Sequence, residues 1–243
     1  MTKDLNGKTV IVTGAGKGIG RATCLMLSGL GANVVAISRT ASDLESLKSE
    51  TGCKTHTFDI ANSAELRNVV RGMTSADGLV NCAGINILEP FLEVTEEAFD
   101  LIYAINTKAA MVAAQEFSRT LIAANRGGAI VNVSSMSSFV GFTDHTSYCA
   151  SKGAMDAMSR VMANELGPYG IRVNCINPIV TMTELAAEAW SDPVKSGPIL
   201  SRVPVGHFAE VDDIANLIVF LLSENSRMLN ATAIPVDGGF LSR

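Results

Sequence analysis

The sequence predicts an α/β fold, a doubly wound parallel sheet of about seven strands with helices on both faces, and two observations carry that expectation. Seven short β-branched runs alternate with six helix-like segments along the chain. Each run is apolar nearly throughout rather than at every second residue, as expected when both faces of a parallel sheet are covered.

In chain order, the first strand runs Thr9 to Thr13 and feeds a glycine-rich turn and a helix from Gly18 to Ser28. A second strand, Asn33 to Ile37, precedes a helix from Ser42 to Glu50, where Ser42-Asp-Leu-Glu reads as a helix start. Thr55 to Phe58, Ser63 to Met73 and Leu79 to Asn81 continue the alternation. Thr95-Glu-Glu opens a long helical segment to Asn125, followed by a strand from Ala129 to Val133 and a helix from Ser147 to Glu165. The strand Arg172 to Ile176, the helix Val211 to Leu222 and the strand Thr232 to Val236 complete the pattern. With no repeat, low-complexity tract or linker, the expectation is one domain over residues 1–243. Ile179 to Gly206 breaks the rhythm, with Pro193, Pro198 and Pro204 and only short helical patches such as Glu184 to Trp190. It follows the C-terminal end of the sixth strand, where such sheets place ligands, so it is the expected substrate loop.

Composition narrows the class. With 47% hydrophobic and 18% charged residues, 21 Gly and 7 Pro, the chain is not disordered, collagenous or coiled coil. A net charge of -5 provides no general attraction to a nucleic-acid backbone. The start lacks the apolar core of a secretory signal, and apolar runs such as Leu217 to Leu222 fall far short of the roughly 20 residues that span a bilayer. Cys24, Cys53, Cys82, Cys149 and Cys175 are odd in number and scattered, which suits small buried hydrophobes in a reducing cytoplasm.

The chemistry begins at Thr13-Gly14-Ala15-Gly16-Lys17-Gly18-Ile19-Gly20. Glycines here let the backbone turn tightly and approach a pyrophosphate lodged at the helix N-terminus; the strand before and helix after distinguish this from an ordinary turn. Cofactor choice is read at the end of the second strand, where a carboxylate grips the ribose 2'-hydroxyl of NAD. The chain has Ser38-Arg39-Thr40 instead, with no acid until Asp43. Arg39 suits a 2'-phosphate and Lys17 adds a second cation, so the expected cofactor is NADP(H).

Tyr148 and Lys152 stand at i and i+4 on one helix face, where the ammonium favours the phenolate and lowers a pKa normally about 10. A tyrosine so tuned exchanges a proton with an alkoxide near neutral pH. Taken alone, the pair also reads as an ordinary surface contact. Ser135 ends the fifth strand 13 residues earlier, at the same sheet edge, and suits a hydrogen bond to the substrate oxygen. Asn106, a poor helix former inside an Ala-rich helix, marks either a functional kink or a tolerated helical Asn. His145 reads equally as a substrate contact or a structural histidine, and Trp190 as a cover over the substrate or as core packing. The three histidines are too dispersed for a metal triad, and no metal is expected.

The set Thr-Gly-x-x-x-Gly-x-Gly, Asn81-Cys-Ala-Gly84, Asn106, Ser135 and Tyr148-x-x-x-Lys152 resembles the short-chain dehydrogenase/reductase family over essentially the whole chain. Ser38-Arg-Thr40, Pro90-Phe-Leu-Glu-Val-Thr95, Trp190-Ser-Asp-Pro193 and Phe208-Ala-Glu-Val211 place the likeness nearest its carbonyl-reducing members that act on ketoses such as xylulose and on α-dicarbonyls. The resemblance implies a Rossmann-type NADPH-dependent reductase, with a 3-oxoacyl reductase, a polyol dehydrogenase or a non-catalytic NADP sensor as rivals. It implies Tyr148 as acid/base, Lys152 on the nicotinamide ribose, Ser135 orienting the carbonyl, and Asn106 holding a water in a proton relay. It further implies that Gly14, Gly18, Ile19 and Gly20 cradle the phosphates beside Ser38 and Thr40. Asp59 and Asn81 then flank the adenine side, Ile179 and Thr183 touch the nicotinamide or pyrophosphate, and Ala83, Gly84 and Pro178 are further cofactor contacts. Cys82 and Ile179 depart from the family's Asn-Asn-Ala-Gly and Pro-Gly patterns. A homotetramer is also implied, with small residues of the two long helices (Ala109, Ala110, Ala113, Ala114, Ala154, Ala157) allowing close approach between subunits.

Overall fold

The hydrophobic runs assemble as parallel strands because each has a helix to cover it on either side. In the computed structural model, which describes residues 5–183, 186–187 and 190–242, β1 (Thr9–Thr13), β2 (Asn33–Ser38), β3 (Lys54–Thr57), β4 (Ala76–Asn81), β5 (Gly128–Val133), β6 (Ile171–Pro178) and β9 (Ala233–Val236) form one sheet. The order is β3-β2-β1-β4-β5-β6-β9, every pairing parallel. The direction of winding reverses between β1 and β4, whose C-terminal residues Thr13 and Asn81 lie side by side. That crevice is where a doubly wound sheet receives a ligand.

Alternate strand residues feed two cores. Val10, Val12, Val80 and Val131 pack with α1 (Gly18–Gly29), α2 (Ala41–Thr51) and α8 (Val211–Leu222) on one face. Ile11, Leu79 and Ile130 pack with α3 (Ser63–Arg71), α5 (Ala109–Ala123) and α6 (Thr146–Leu166) on the other. Burial on both sides explains why strand sequences lack alternation: Val10 to Thr13 are all 1% exposed or less.

Several expectations need correction. The helix expected from Thr95 to Asn125 is broken: α4 (Glu96–Tyr103), capped by the Thr95 hydroxyl, leads into a π turn over Ala104–Lys108 before α5 begins. The π turn is centred on Asn106, whose side chain bonds outside its own helix. The second helix starts at Ala41, one residue before the expected Ser42, with Thr40 preceding it. Ala109, Ala110, Ala113 and Ala114 are buried within the chain's own core, so they are not available to a neighbouring subunit. Ala154 is half-buried and Ala157 exposed.

The segment 179–206 holds more structure than its prolines announce. β7 (Thr181–Met182) pairs with β8 (Ala209–Glu210), and α7 (Pro193–Leu200) starts on Pro193 with Asp192 capping it and Pro198 inside. Pro193 occupies the first turn, where its missing N–H is no loss. The expected helical patch from Glu184 includes Glu184, Leu185, Glu188 and Ala189, which lie outside the described residues, as do Met1 to Asp4. No helix among the described residues is long and apolar enough to cross a membrane.

Candidate active site

The glycine loop is shaped by contact as well as by turning. Gly14 has φ +68°, and a Cβ there would lie 2.7 Å from the Ala83 Cα and amide nitrogen, so only glycine lets β1's exit touch the strand exit beside it. At Gly18, φ +53°, a Cβ would meet the Thr183 methyl at 2.8 Å, which places Thr183 across the loop from the start of α1. The Thr183 hydroxyl accepts from the Ala186 amide at 3.1 Å. No side chain caps the N-terminus of α1, so its first amides and the positive end of its dipole are left without a side-chain acceptor. Ile19 packs against the core beneath, and Gly20 backs onto Gly14.

At the end of β2 the cationic end of the cradle is assembled. Ser38 is half-buried, with its hydroxyl beside Gly16, while Arg39 and Thr40 are exposed. The Lys17 side chain is 73% exposed and its ammonium lies 3.8 Å from the Asp43 carboxylate. Asp59 is exposed beyond β3 and accepts from the Ala61 amide.

Two of the residues expected at the cofactor have side chains engaged within the protein. Asn81 is 2% exposed, and its amide nitrogen donates to Asn132 Oδ1 at 2.8 Å on the α5 side of the sheet. Ile179 is 6% exposed in a cluster with Met136, Val203 and Phe240; its N–H goes to Val236 and its carbonyl accepts from the Thr181 hydroxyl. Pro178 is buried at the end of β6.

Across the crevice, α6 is clamped onto the end of β5. Lys152, 3% exposed, donates to the Val133 carbonyl at 2.8 Å, and the Ser134 hydroxyl donates to the Lys152 carbonyl at 3.3 Å. The Lys152 ammonium lies 5.6 Å from the centroid of the half-buried Tyr148 ring, one turn earlier. Gly84 lies against the same ammonium: a Cβ there would be 3.6 Å from it and 3.4 Å from Asn106 Oδ1. Ser135 Oγ accepts the Ser137 N–H at 3.1 Å, which leaves its own proton to be donated.

Asn106 ties the parts together. Its Oδ1 accepts the Ile85 N–H at 2.8 Å, while Nδ2 donates to the Ile85 carbonyl and to Ser151 Oγ, each at 3.0 Å. Both amide protons are therefore used within the protein. His145 precedes α6; its Nδ1 lies 2.6 Å from the Thr143 carbonyl and its ring stands edge-on to Tyr148. Trp190 is half-buried against the Phe208 ring at 5.8 Å. Burial pushes the Cys82 thiol up to about 12, against the pull of Lys152, so it adds no negative charge beside the site. Among the described residues, no three His, Cys, Asp or Glu gather to hold a metal ion.

A family profile described as Enoyl-(Acyl carrier protein) reductase matches residues 14–241. The chain belongs to the short-chain dehydrogenase/reductase family. Among curated relatives of this short-chain dehydrogenase/reductase, L-xylulose reductase of Bos taurus is 48% identical over 98% of each chain. D-erythrulose reductase of Gallus gallus is 47% identical over 99% of each. A solved structure described as a 2-deoxy-D-gluconate 3-dehydrogenase of Agrobacterium tumefaciens with bound NADP superposes with a TM-score of 0.92, at 32% identity over 98% of each chain.

Sequence reasoning missed three residues of this short-chain dehydrogenase/reductase site. Thr13 Oγ1 accepts from the Cys82 and Ala83 amides at 3.2 and 3.3 Å, joining the two sides of the crevice. A hydroxyl closing an otherwise apolar strand was the available signal. Asp43 is brought back to the glycine loop by α2, and Asn177 reaches Ser135 from β6; neither had a sequence signal, because both act across long separations.

Proposed function

We propose that this oxidoreductase is an NADPH-dependent reductase of a small carbonyl substrate, best represented by L-xylulose, related short ketoses and α-dicarbonyls, with the corresponding alcohol as product. The observation that carries the reading is the Tyr148–Lys152 pair, anchored by Lys152 on the Val133 carbonyl two residues before Ser135. The relatives named L-xylulose reductase and D-erythrulose reductase support the substrate class.

The residues present fit NADP(H). The loop is pared of side chains at Gly14 and Gly18, the α1 amides are uncapped, and Arg39 and Lys17 are exposed where an acid would select NAD. Thr183 closes the phosphate end, Lys152 and Gly84 face the ribose end, and the backbone at Ala83 and Asn81 forms the floor. When bound, the nicotinamide supplies the hydride. Ser135 donates a hydrogen bond to the substrate oxygen, and Tyr148 delivers the proton that neutralises the charge developing there. The buried Lys152 ammonium stabilises the phenolate left behind. Asn106 holds the loop at Ile85 against α6 and keeps Gly84 beside Lys152. His145 and Trp190 border the substrate on the side of the 179–206 segment.

We further place the protein in the cytoplasm as a homotetramer of a single-domain chain. Five free cysteines support the first. Exposed Leu101 and Tyr103 on α4 and Val161 on α6 support the second, in place of the buried alanines.

Tyr148→Phe tests the reading. It removes the proton but not the ring, so kcat on the best ketose falls about 10²–10⁴-fold while NADPH still quenches protein fluorescence with an unchanged Kd. Retention of more than about a tenth of the activity contradicts the acid/base role.

A further inference from the structure

We propose that Asp156 and Asn177 are positioning residues that set Ser135 against the Tyr148–Lys152 face of α6. Asn177 is fully buried in β6, and its two Nδ2 protons are shared among the Ser135 carbonyl at 3.1 Å, Ser138 Oγ at 2.8 Å and Asp156 Oδ2 at 2.9 Å. Ser138 Oγ in turn donates to the same Ser135 carbonyl at 2.8 Å. The backbone carbonyl of the substrate-facing serine is thus approached by Asn177 itself and by the Ser138 hydroxyl, which accepts from Asn177.

The other end of this link lies on the helix that carries the acid/base pair. Asp156 is one turn beyond Lys152 and two beyond Tyr148, on the same face of α6. Through Asn177 it fixes how far that face stands from the Ser135 loop, a distance that neither element sets by itself. Rigid packing of apolar side chains would hold the helix more cheaply, since a buried carboxylate is costly unless it is paired. Asp156 is 5% exposed, and among the described residues no Lys or Arg forms an ion pair with it. Asn177 Oδ1 has no hydrogen-bond partner, and the Asp156 carboxylate meets Asn177 and the Cys175 thiol. The neighbouring Cys175 thiol is pushed up by burial and next by this carboxylate's negative charge. A buried side-chain oxygen in such a place has a geometric use: an acceptor of fixed direction for Asn177.

The inference rests on the roles proposed for Ser135 and Tyr148. Their failure is separable, because it shows as Tyr148-independent activity before any Asp156 variant is read. In the full chain, Asp156→Ala lowers kcat about 10–100-fold, the scale of a small misplacement at a reacting centre, with the NADPH Kd unchanged. Asp156→Asn, whose amide oxygen still accepts from Asn177, restores kcat to within about threefold. In a Ser135→Ala background, where no hydroxyl is left to place, Asp156→Ala changes the residual kcat by less than about threefold. Should Asp156→Ala not fold, Asn177→Ser is read in the same two backgrounds. Equal losses with and without Ser135, unchanged kcat in the variant, or no rescue by Asn overturns the proposal.

Discussion

Gly14→Ala separates backbone strain from contact in the cofactor cradle. Gly14 and Gly7 both have left-handed backbones, φ +68° and +75°, but a Cβ at Gly7 meets nothing within 4 Å whereas one at Gly14 lies 2.7 Å from the Ala83 backbone. Alanine at φ near +70° loses about 1–2 kcal/mol to its own backbone, and that sum applies to both sites. At Gly14 the neighbour is main chain and cannot rotate away, so the two strand exits must part by several tenths of an ångström. Overpacking of that kind adds about 1–3 kcal/mol. Gly14→Ala is therefore expected to lose about 2–5 kcal/mol, and Gly7→Ala about 1–2, in urea unfolding of the apo protein. The separation also moves Ala83 off the Thr13 hydroxyl that holds it, so Gly14→Ala loses NADPH affinity at least tenfold while Gly7→Ala does not. Equal stability losses at the two positions, with NADPH binding intact in both, would refute the contact argument.

Cofactor choice and acid stability offer two more tests. Arg39→Asp introduces the carboxylate that repels a 2'-phosphate, so the ratio of kcat/KM for NADPH over NADH falls to one or below; equal kcat/KM for the two cofactors in the unmutated chain contradicts the proposed preference. Glu116, 1% exposed, accepts from Arg67, Arg71 and Arg119 at 2.8, 3.0 and 2.6 Å, and the Arg71 hydrogen bond, with help from the other two, holds its carboxyl below the usual range. A depressed folded pKa stabilises the protein above the unfolded value of about 4.3 and ceases to do so as pH falls through the folded one. Glu116→Gln should thus cost about 1–3 kcal/mol at pH 7 and flatten the acid limb of stability against pH; parallel limbs for the two proteins count against the cluster's role.

Much of the fold was legible because its signals are local. The run Thr9–Thr13 and the helix Val211–Leu222 have the bounds their patterns indicate, since an apolar run ends where a turn residue or cap begins. The misfit of Asn106 in an Ala-rich stretch, which left a kink and a tolerated helical Asn equally open, falls at the centre of a π turn. In contrast, Pro198 marks no break: it lies inside α7, whose start is set by the Asp192 cap.

The residue types that carry the chemistry were chosen by the sequence itself: a glycine-lined turn before a helix, a serine at a strand end, and a tyrosine one turn before a lysine. Each is a pattern within a few neighbouring residues, so the short-range geometry of strand, turn and helix is enough to read it. What those residues face was decided only by the tertiary structure. Asn81 and Asn132 are 51 residues apart and meet by strand register, which ties the Asn81 side chain to Asn132. Asp43 reaches Lys17 through α2, and Asp156 reaches Ser135 through Asn177, from a helix and a strand that sequence alone leaves unrelated. Hydrogen bonds across the sheet depend on which strands are neighbours and in what register, and that order is a property of the packed whole rather than of any segment of the chain.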